Sequence, residues 1–581
     1  MTLYLHYGMI LVRLLCLALC LCGYLLYLQK SIRIELALGV LFAGIGSLMF
    51  AAGIFHILRE TAWLIFAGGI WFLLQACRKE DRFFRSLFKD ICTPGMVVFL
   101  LWAVFFLVLL FRSEFTHYDN FSHWGVAAKV VCEKDMFPNT ANTNVTFTSY
   151  PLGSASFIYF ITEIVGTAPE WLQMWAQAIL MAGMLTGLFA FGSGLICGLT
   201  AAAGTMMLLC GNTPLVDLLV DTLLPVVAMG AMAFCIYYRM ELAEKIWFVI
   251  PYTVFLMSIK NSGILFVAVL LLYVLTAIPR NRDNGRKILI LCLSPVVSLF
   301  FWNRHVEQVF DDGTVSKHAM RVDNFQQVLA EKTPEDLQMI LEAFRNETAA
   351  RLGMLFFLCL LAVLLLGYRK FILKKNCREL CGLLLFTGFS YVLYLLGLLG
   401  MYIFSMPIEE ALMMAGYWRY YQTIVIFVAG MMLIAGIREL RDSRGKKFGF
   451  LCTVVLGAIL LIQVKNVVQP NFNYFTRQDL ENTDRAHFDR LISDYGLWPG
   501  DSYLILFDEE QVDGGYLYYM AHYLLAPEDV AVVTMDSIKT LDENRFNFAI
   551  LFSDTEANRQ YMQNQLGLSE EVGYIAGKPL R

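Results

Sequence analysis

A polytopic α-helical membrane protein with a small α/β domain at its C-terminal end is the fold class the sequence predicts, and three observations predict it. Of 581 residues, 58% are hydrophobic and 16% charged, with a mean hydropathy of +0.58. An ordinary soluble domain is about 45–50% apolar and about 25% charged. The apolar residues fall in blocks of roughly 17–25 bounded by charge clusters, which suits the ~20 residues a helix needs to cross ~30 Å of hydrocarbon. The blocks give out near Pro470, beyond which apolar runs are short and turn residues frequent.

Taken in order, the candidate spans are 7–28, 34–55, 60–76, 92–112, 168–190, 195–211, 214–237, 246–258, 262–278, 287–302, 351–368, 381–404, 419–437 and 448–468. Backbone in lipid must satisfy its own hydrogen bonds, so each block is expected to be a helix. The first lacks a basic n-region and a small-residue cleavage site, and reads as a retained span and not a signal peptide. The pieces on either side of Lys260 are short for separate crossings and read as a hairpin or one broken helix, giving about 12–14 spans.

Orientation follows from the short basic loops. Lys30–Arg33, Arg78–Lys89, Arg239–Lys245, Arg280–Lys287, Arg369–Arg378 and Arg438–Lys447 fall on one side, which the positive-inside rule makes cytoplasmic. Both termini and the loops 113–167, 303–350 and 405–418 are then extracytoplasmic. The chain divides into N-terminal spans (1–112), a first large loop (113–167), the remaining spans (168–469) and the C-terminal domain (470–581). In that domain 502–507, 530–534 and 548–553 read as short buried strands, separated by helical stretches at 515–525 and 556–566. It has no Gly-rich phosphate loop and no nucleophile elbow, and reads as a packing or recognition module.

Composition excludes some functions. No basic tail or Lys/Arg run points to nucleic acid, and the net charge is −4. Most of the fourteen cysteines lie inside apolar blocks, without a CxxC pair or His-Cys cluster, which argues against a disulfide framework or zinc site. Cys132, in the first large loop, reads as an unpaired thiol. Asn144 and Asn346 head formal glycosylation sequons that matter only in a eukaryotic secretory setting. The loop 303–350 is polar, with a helix start at Thr333-Pro334-Glu335-Asp336.

The first large loop holds the most unusual chemistry. Asp119, His123 and Trp124 stand just outside the span ending near Phe111, on an expected helix from Asn120 to Val131. A carboxylate beside an imidazole and an indole at the membrane boundary can deprotonate an acceptor or hold a cation. The same residues equally fit an Asp helix cap and an interfacial Trp. Asp217 and Asp221, four apart in PLVDLLVDTLLP, are expected on one face of a helix near its external end, where buried charge is costly enough to imply function. Lys260 in SIKNSG can bind phosphate as a point charge, or snorkel. Arg419 opens a span in GYWRYY beside Tyr417 and Tyr420; arginine forks onto phosphate oxygens and aromatic rings stack on sugars. Glu409 and Glu410 read as solvated loop charges.

An acidic residue after an early span, an HW pair, a lysine, FP and YP-x-G resemble the GT-C superfamily. Its members are integral membrane glycosyltransferases that use polyprenyl-phosphate-linked sugars, similar to the bacterial aminoarabinose and protein mannosyl transferases. Asp119, His123, Trp124, Lys129, Phe137, Pro138, Tyr150, Pro151 and Gly153 carry the resemblance, and the 214–225, 258–263 and 416–421 segments and the soluble tail extend it. More spans precede the Asp-bearing loop than the single one of many members. DN also replaces the D-x-D or D-E pair of metal-dependent members, and one carboxylate with one His makes a poor hard-cation site, so a divalent metal is disfavoured.

The resemblance implies glycosyl transfer at the outer face of a bacterial plasma membrane, with a glycan, protein or lipid as acceptor. Asp119 would be general base and His123 would orient it or the acceptor. Trp124, Lys129, Tyr150, Asp217, Asp221, Lys260, Tyr417, Arg419 and Tyr420 would bind substrate. Two alternatives remain open. A polysaccharide polymerase or ligase would carry several external arginines, and Arg304, Arg321, Arg345 and Arg351 are scattered. A transporter would show matching broken helices, and Lys260 marks one break.

Overall fold

The computed structural model describes residues 2–79, 91–141, 145–209, 215–310, 322–441, 480–538, 541–542 and 545–575. The expected span 448–468 and the Asn144 sequon lie outside them.

The protein is a polytopic helical membrane protein. Eight described helices are long and apolar enough to cross a membrane, and a pair bent by 45° at Phe248–Ile250 would make a ninth. The bundle runs through α1 (Thr2–Leu28), α2 (Ile34–Ile54), α3 (Leu58–Lys79) and α4 (Pro94–Leu110). Two short helices follow, α5 (Tyr118–Ser122) and α6 (Trp124–Lys134), then α7 (Gly153–Val165), α8 (Glu170–Leu185), α9 (Leu195–Leu209) and α10 (Leu223–Tyr237). The second half contains α11 (Ile250–Ile259), α12 (Gly263–Ala277), α13 (Arg282–Val309), α14 (Val322–Ala330), α15 (Pro334–Ala349), α16 (Leu352–Gly367), α17 (Arg378–Phe404) and α18 (Tyr417–Arg441).

Burial sorts these helices. α8 is buried along its whole length and α10 along nearly all of it, so they form the bundle's centre. α16 buries only Leu358 among its described residues, and its Leu, Phe and Val side chains face outward. Such a helix is stable where the surrounding solvent is lipid. α1 and α3 pack closely at Gly23, where a Cβ would stand 1.9 Å from the Gly69 carbonyl oxygen. Small residues at such crossings let helices gain van der Waals contact where no hydrophobic drive joins them.

The first large loop departs from expectation. It contains α7, a 13-residue apolar helix buried on almost every side. At ~1.5 Å per residue it is too short to resemble a span in sequence. The break at Lys260 is present: α11 ends there in extended backbone (φ −159°, ψ 151°), and α12 restarts at Gly263. The start of α15 is as read, with Thr333 and Asp336 forming a reciprocal capping box.

Loops that the charge rule groups on one side meet pairwise. Lys245 Nζ donates to Ser31 O at 2.7 Å, the Arg33 amide donates to Tyr238 Oη at 2.6 Å, and Arg369 pairs with Glu439 at 2.5 Å.

The C-terminal domain is a four-stranded sheet in the order β2-β1-β3-β4, built from β1 (Ser502–Leu506), β2 (Asp529–Val533), β3 (Phe548–Leu551) and β4 (Val572–Tyr574). β1 is parallel to both neighbours, with Ile505 opposite Val532 and Ile550; β4 is antiparallel to β3. All five β1 residues are buried, which suits an apolar strand covered on both faces. Three helices complete the domain: α19 (Asp484–Tyr495), α20 (Gly514–Leu525) and α21 (Glu556–Asn564). The domain docks through α20 onto α5, where Tyr516 Oη donates to Thr116 O at 2.8 Å.

Candidate functional site

The expected helix Asn120–Val131 is broken at His123 (φ −152°, ψ −72°) into α5 and α6. His117 caps α5, its Nδ1 accepting from the Asp119 amide at 3.1 Å. Asp119 is therefore not the cap, and its carboxylate is left for another partner.

That partner is Arg419, 300 residues away at the start of α18, whose Nη1 lies 2.5 Å from Asp119 Oδ2. The same Nη1 is 3.9 Å from Asp221 Oδ2. Asp221 in turn accepts from Lys260 Nζ at 3.0 Å. Four charges thus alternate in sign along one line: Asp119, Arg419, Asp221, Lys260. The outer pair is partly open, with Asp119 23% and Arg419 32% exposed, while Asp221 at 6% and Lys260 at 11% are sequestered. Lys260 Nζ also sits 4.8 Å from the Tyr420 ring centroid and 6.0 Å from that of Tyr150.

Asp217 and Asp221 do not share a helix face. Both lie in the irregular stretch 215–222, and α10 begins only at Leu223. Buried irregular backbone needs partners, and side chains distant in sequence supply them. Asn120 donates from Nδ2 to Asp217 Oδ1 at 3.0 Å and accepts the Leu218 amide on Oδ1 at 3.1 Å. Gln177 Nε2 reaches Leu219 O at 3.3 Å, and Thr423 Oγ1 donates to Asp221 O at 3.1 Å. Asn120 was not singled out in the sequence. It occupies the second place of the DN pair that departs from the family pattern, and here it ties the Asp119 helix to the Asp221 segment.

His123 is 1% exposed, and neither ring nitrogen has a hydrogen-bond partner among the described residues. Its ring does not hydrogen-bond Asp119; only the His123 amide does, donating to the Asp119 carbonyl at 3.1 Å. The rings of Trp124, Tyr150 and Phe147 surround it at 4.5, 5.4 and 5.6 Å. Burial outweighs the nearby Asp119 carboxylate and pushes its pKa down to about 3, so the imidazole is neutral at ordinary pH. Trp124 and Tyr150 stack on each other at 6.0 Å. The YP-x-G stretch is packed against the Lys260 break, because a Cβ on Gly153 would stand 2.2 Å from Ser258 Oγ.

Two candidates lie in other surroundings. Lys129 Nζ donates to Tyr523 O at 2.6 Å and lies 4.6 Å from the Tyr523 ring, so it serves the contact with the C-terminal domain. Tyr417 is buried, hydrogen-bonded to Thr348 at 2.6 Å, with the Arg351 guanidinium 5.1 Å from its ring. Among the described residues no three His, Cys, Asp or Glu side chains converge as a metal-ligand set. Comparison of the chain with protein-family models, curated proteins and solved structures gives no match.

Proposed function

We propose that the protein is a membrane glycosyltransferase of the GT-C kind. In this reading it moves a sugar from a polyprenyl-phosphate donor to an acceptor hydroxyl at the extracytoplasmic face. The observation that carries the reading is the alternating line Asp119–Arg419–Asp221–Lys260, set against the Tyr150 and Tyr420 rings. It supplies two cations for a phosphate, a partly open carboxylate for a proton, and aromatic faces for a sugar.

Without donor, each cation is neutralised by a carboxylate. Donor phosphate becomes the new partner of Arg419 and Lys260, and Asp119 is released from its ion pair. Asp119 then takes the proton of the acceptor hydroxyl as that oxygen attacks the anomeric carbon. The bond from the anomeric carbon to the phosphate oxygen breaks, the electron pair leaves with the polyprenyl phosphate, and configuration inverts. Arg419 and Lys260 stabilise the charge that grows on the leaving oxygen. His123, neutral and buried among Trp124, Tyr150 and Phe147, supports the acceptor side from behind these rings.

The test is transfer of radiolabelled sugar from a polyprenyl-phosphate donor in proteoliposomes, comparing wild type with Asp119→Asn. A general base contributes about 10²–10⁴-fold, and the variant is expected to lose that factor while keeping its elution and thermal profile. A folded Asp119→Asn protein with full transfer would remove Asp119 from the chemistry. Wild type inert with every polyprenyl-phosphate sugar would sink the reading.

A further inference from the structure

The carboxyl edge of the small sheet lies against the helix that carries Asp119. In open α/β sheets, ligands bind outside the carboxyl ends of the strands, at the point where the strand order reverses. Here the chain passes from β1 to β2 on one side and returns to β3 on the other, so the reversal falls between β1 and β3. The segments leaving these two strands touch, the Asp508 amide donating to Ser553 Oγ at 3.1 Å. The β1 segment then runs to Asp513, the cap of α20, and the first turn of α20 meets Tyr118, the residue before Asp119. The ligand edge of the domain therefore borders the Asp119 end of the charged line.

Tyr118 offers a stacking face at this border. It is 38% exposed, with Tyr519 edge-on to its ring at 5.5 Å and Tyr516 at 6.4 Å. Tyr516 is fixed by its own hydroxyl on Thr116 O, so the open ring is held in place. Partial burial, with Tyr519, Asp513 and Asp119 close by, pushes the Tyr118 phenol up to about 12, and it stays a neutral donor at ordinary pH.

Polar partners surround that ring. Asp513 is exposed; its Oδ1 accepts from the Tyr516 amide at 2.7 Å, and its Oδ2 has no hydrogen-bond partner among the described residues. Asp119 likewise spends Oδ2 on Arg419 and leaves Oδ1 open among the described residues. Gly515 keeps the approach clear, because a Cβ there would stand 3.1 Å from Asp513 Oδ1 and 3.4 Å from Tyr118 Oη. An aromatic face rimmed by carboxylate oxygens suits a sugar, whose C–H face lies on the ring while its hydroxyls donate to the carboxylates. The same carboxylates repel an anionic sugar.

We propose that Tyr118 and Asp513 form a subsite for an uncharged sugar unit, and that Asp513 sets the preference against anionic glycans. Its role as the acceptor's station rests on the transferase reading; sugar binding at Tyr118 does not.

The experiment is saturation-transfer difference NMR on the full-length detergent-solubilised protein with maltohexaose, chitohexaose and hexagalacturonate as probes. Wild type is expected to give signal from a neutral hexasaccharide and none from hexagalacturonate. Tyr118→Ala should lower the neutral signal about fivefold, and Tyr118→Phe should keep most of it. Gly515→Leu, at an exposed position of α20, covers the Tyr118 hydroxyl from the domain side and should give a similar loss with an unchanged thermal profile. Asp513→Asn should lower the neutral signal about threefold and admit hexagalacturonate. A neutral signal that survives both Tyr118→Ala and Gly515→Leu, a wild type silent toward both neutral probes, or a wild type that prefers hexagalacturonate overturns the proposal. Neutral binding that depends on Tyr118 in a protein that transfers nothing would leave the subsite standing and remove the transferase reading. Transfer with an acceptor KM unmoved by Tyr118→Ala would do the reverse.

Discussion

Two buried charge networks flank the α5–α6 segment, and they are built on different plans. The docking network holds Arg485, 8% exposed, against Glu170 and Asp489, and the Phe115 carbonyl accepts from the same guanidinium at 3.3 Å. Glu170 accepts in addition from the Phe115 amide at 2.5 Å and from Tyr523 at 3.0 Å. Arg485 and Glu170 thus each have neutral partners within the protein besides their counter-ion. The site network is an alternation of four charges, with Asp119 and Arg419 at its open end. Charges closed off from solvent specify a geometry; an ion pair open to solvent, as Asp119 and Arg419 are, can exchange partners when a ligand arrives. On that difference the first network holds the domain in place, and the second is the one to which the transferase reading assigns the chemistry.

The sharpest way to break the comparison is at Asp221. Asp221→Asn leaves Lys260 buried beside neutral groups, and removing one partner of a buried pair costs about 3–5 kcal/mol. A thermal unfolding series should show that loss, with most of it recovered in Asp221→Asn/Lys260→Met. If the double variant is as unstable as the single one, the Asp221 carboxylate acts through Arg419 and not through the lysine. Next in size is Arg485→Met. Hydrogen bonds to charged groups are worth about 1.5–3 kcal/mol, and their loss should loosen the domain so that limited proteolysis cuts between bundle and sheet faster. Transfer should fall less than in Asp119→Asn. Loss of transfer equal to that of Asp119→Asn would mean that the two networks are one. Asn120→Ala comes third: kcat should drop several-fold with donor KM little changed, because Asn120 sets where Asp119 stands relative to Asp221. A change in KM alone would make Asn120 a binding residue.

How far these networks were legible in the sequence follows from what makes each part. The long helices were legible because ~20 apolar residues in a row have few other physical explanations. The first three strands were legible for a similar reason, since SYLIL, DVAVV and FAIL are short, apolar and bounded by turns. β4 was not: it is three residues containing a glycine, and pairing with β3 defines it. The stretch 215–222 reads as helix because its leucines and valines have helical spacing. Asn120, Gln177 and Thr423 override that local preference from other elements. At the site, Asp221 and Lys260 were legible singly as charges out of place in apolar surroundings, and Asp119 and Arg419 as charges at the membrane boundary beside aromatic residues. That they form one line was not, because contact between residues 119 and 419 leaves no trace in spacing.

The smallest expected effect concerns His123, and it separates the networks by pH. Its pKa in the folded protein is pushed down to about 3 by burial, from an ordinary value near 6.5. Between those two values the unfolded chain binds a proton that the folded protein refuses, so stability rises with pH across this window. The contribution is complete above about 6.5 and drains away as the pH falls toward 3. Wild type should therefore lose more thermal stability than His123→Phe between pH 7.5 and pH 5. The transfer rate should show no inflection near 6.5 from this residue, because the imidazole is neutral throughout. A rate inflection near 6.5 that disappears in His123→Phe would mean that the ring titrates in contact with water or substrate. The open part of the site would then reach past Asp119 to the Trp124–Tyr150 stack, and His123 would join Asp119 as a group exchanging protons.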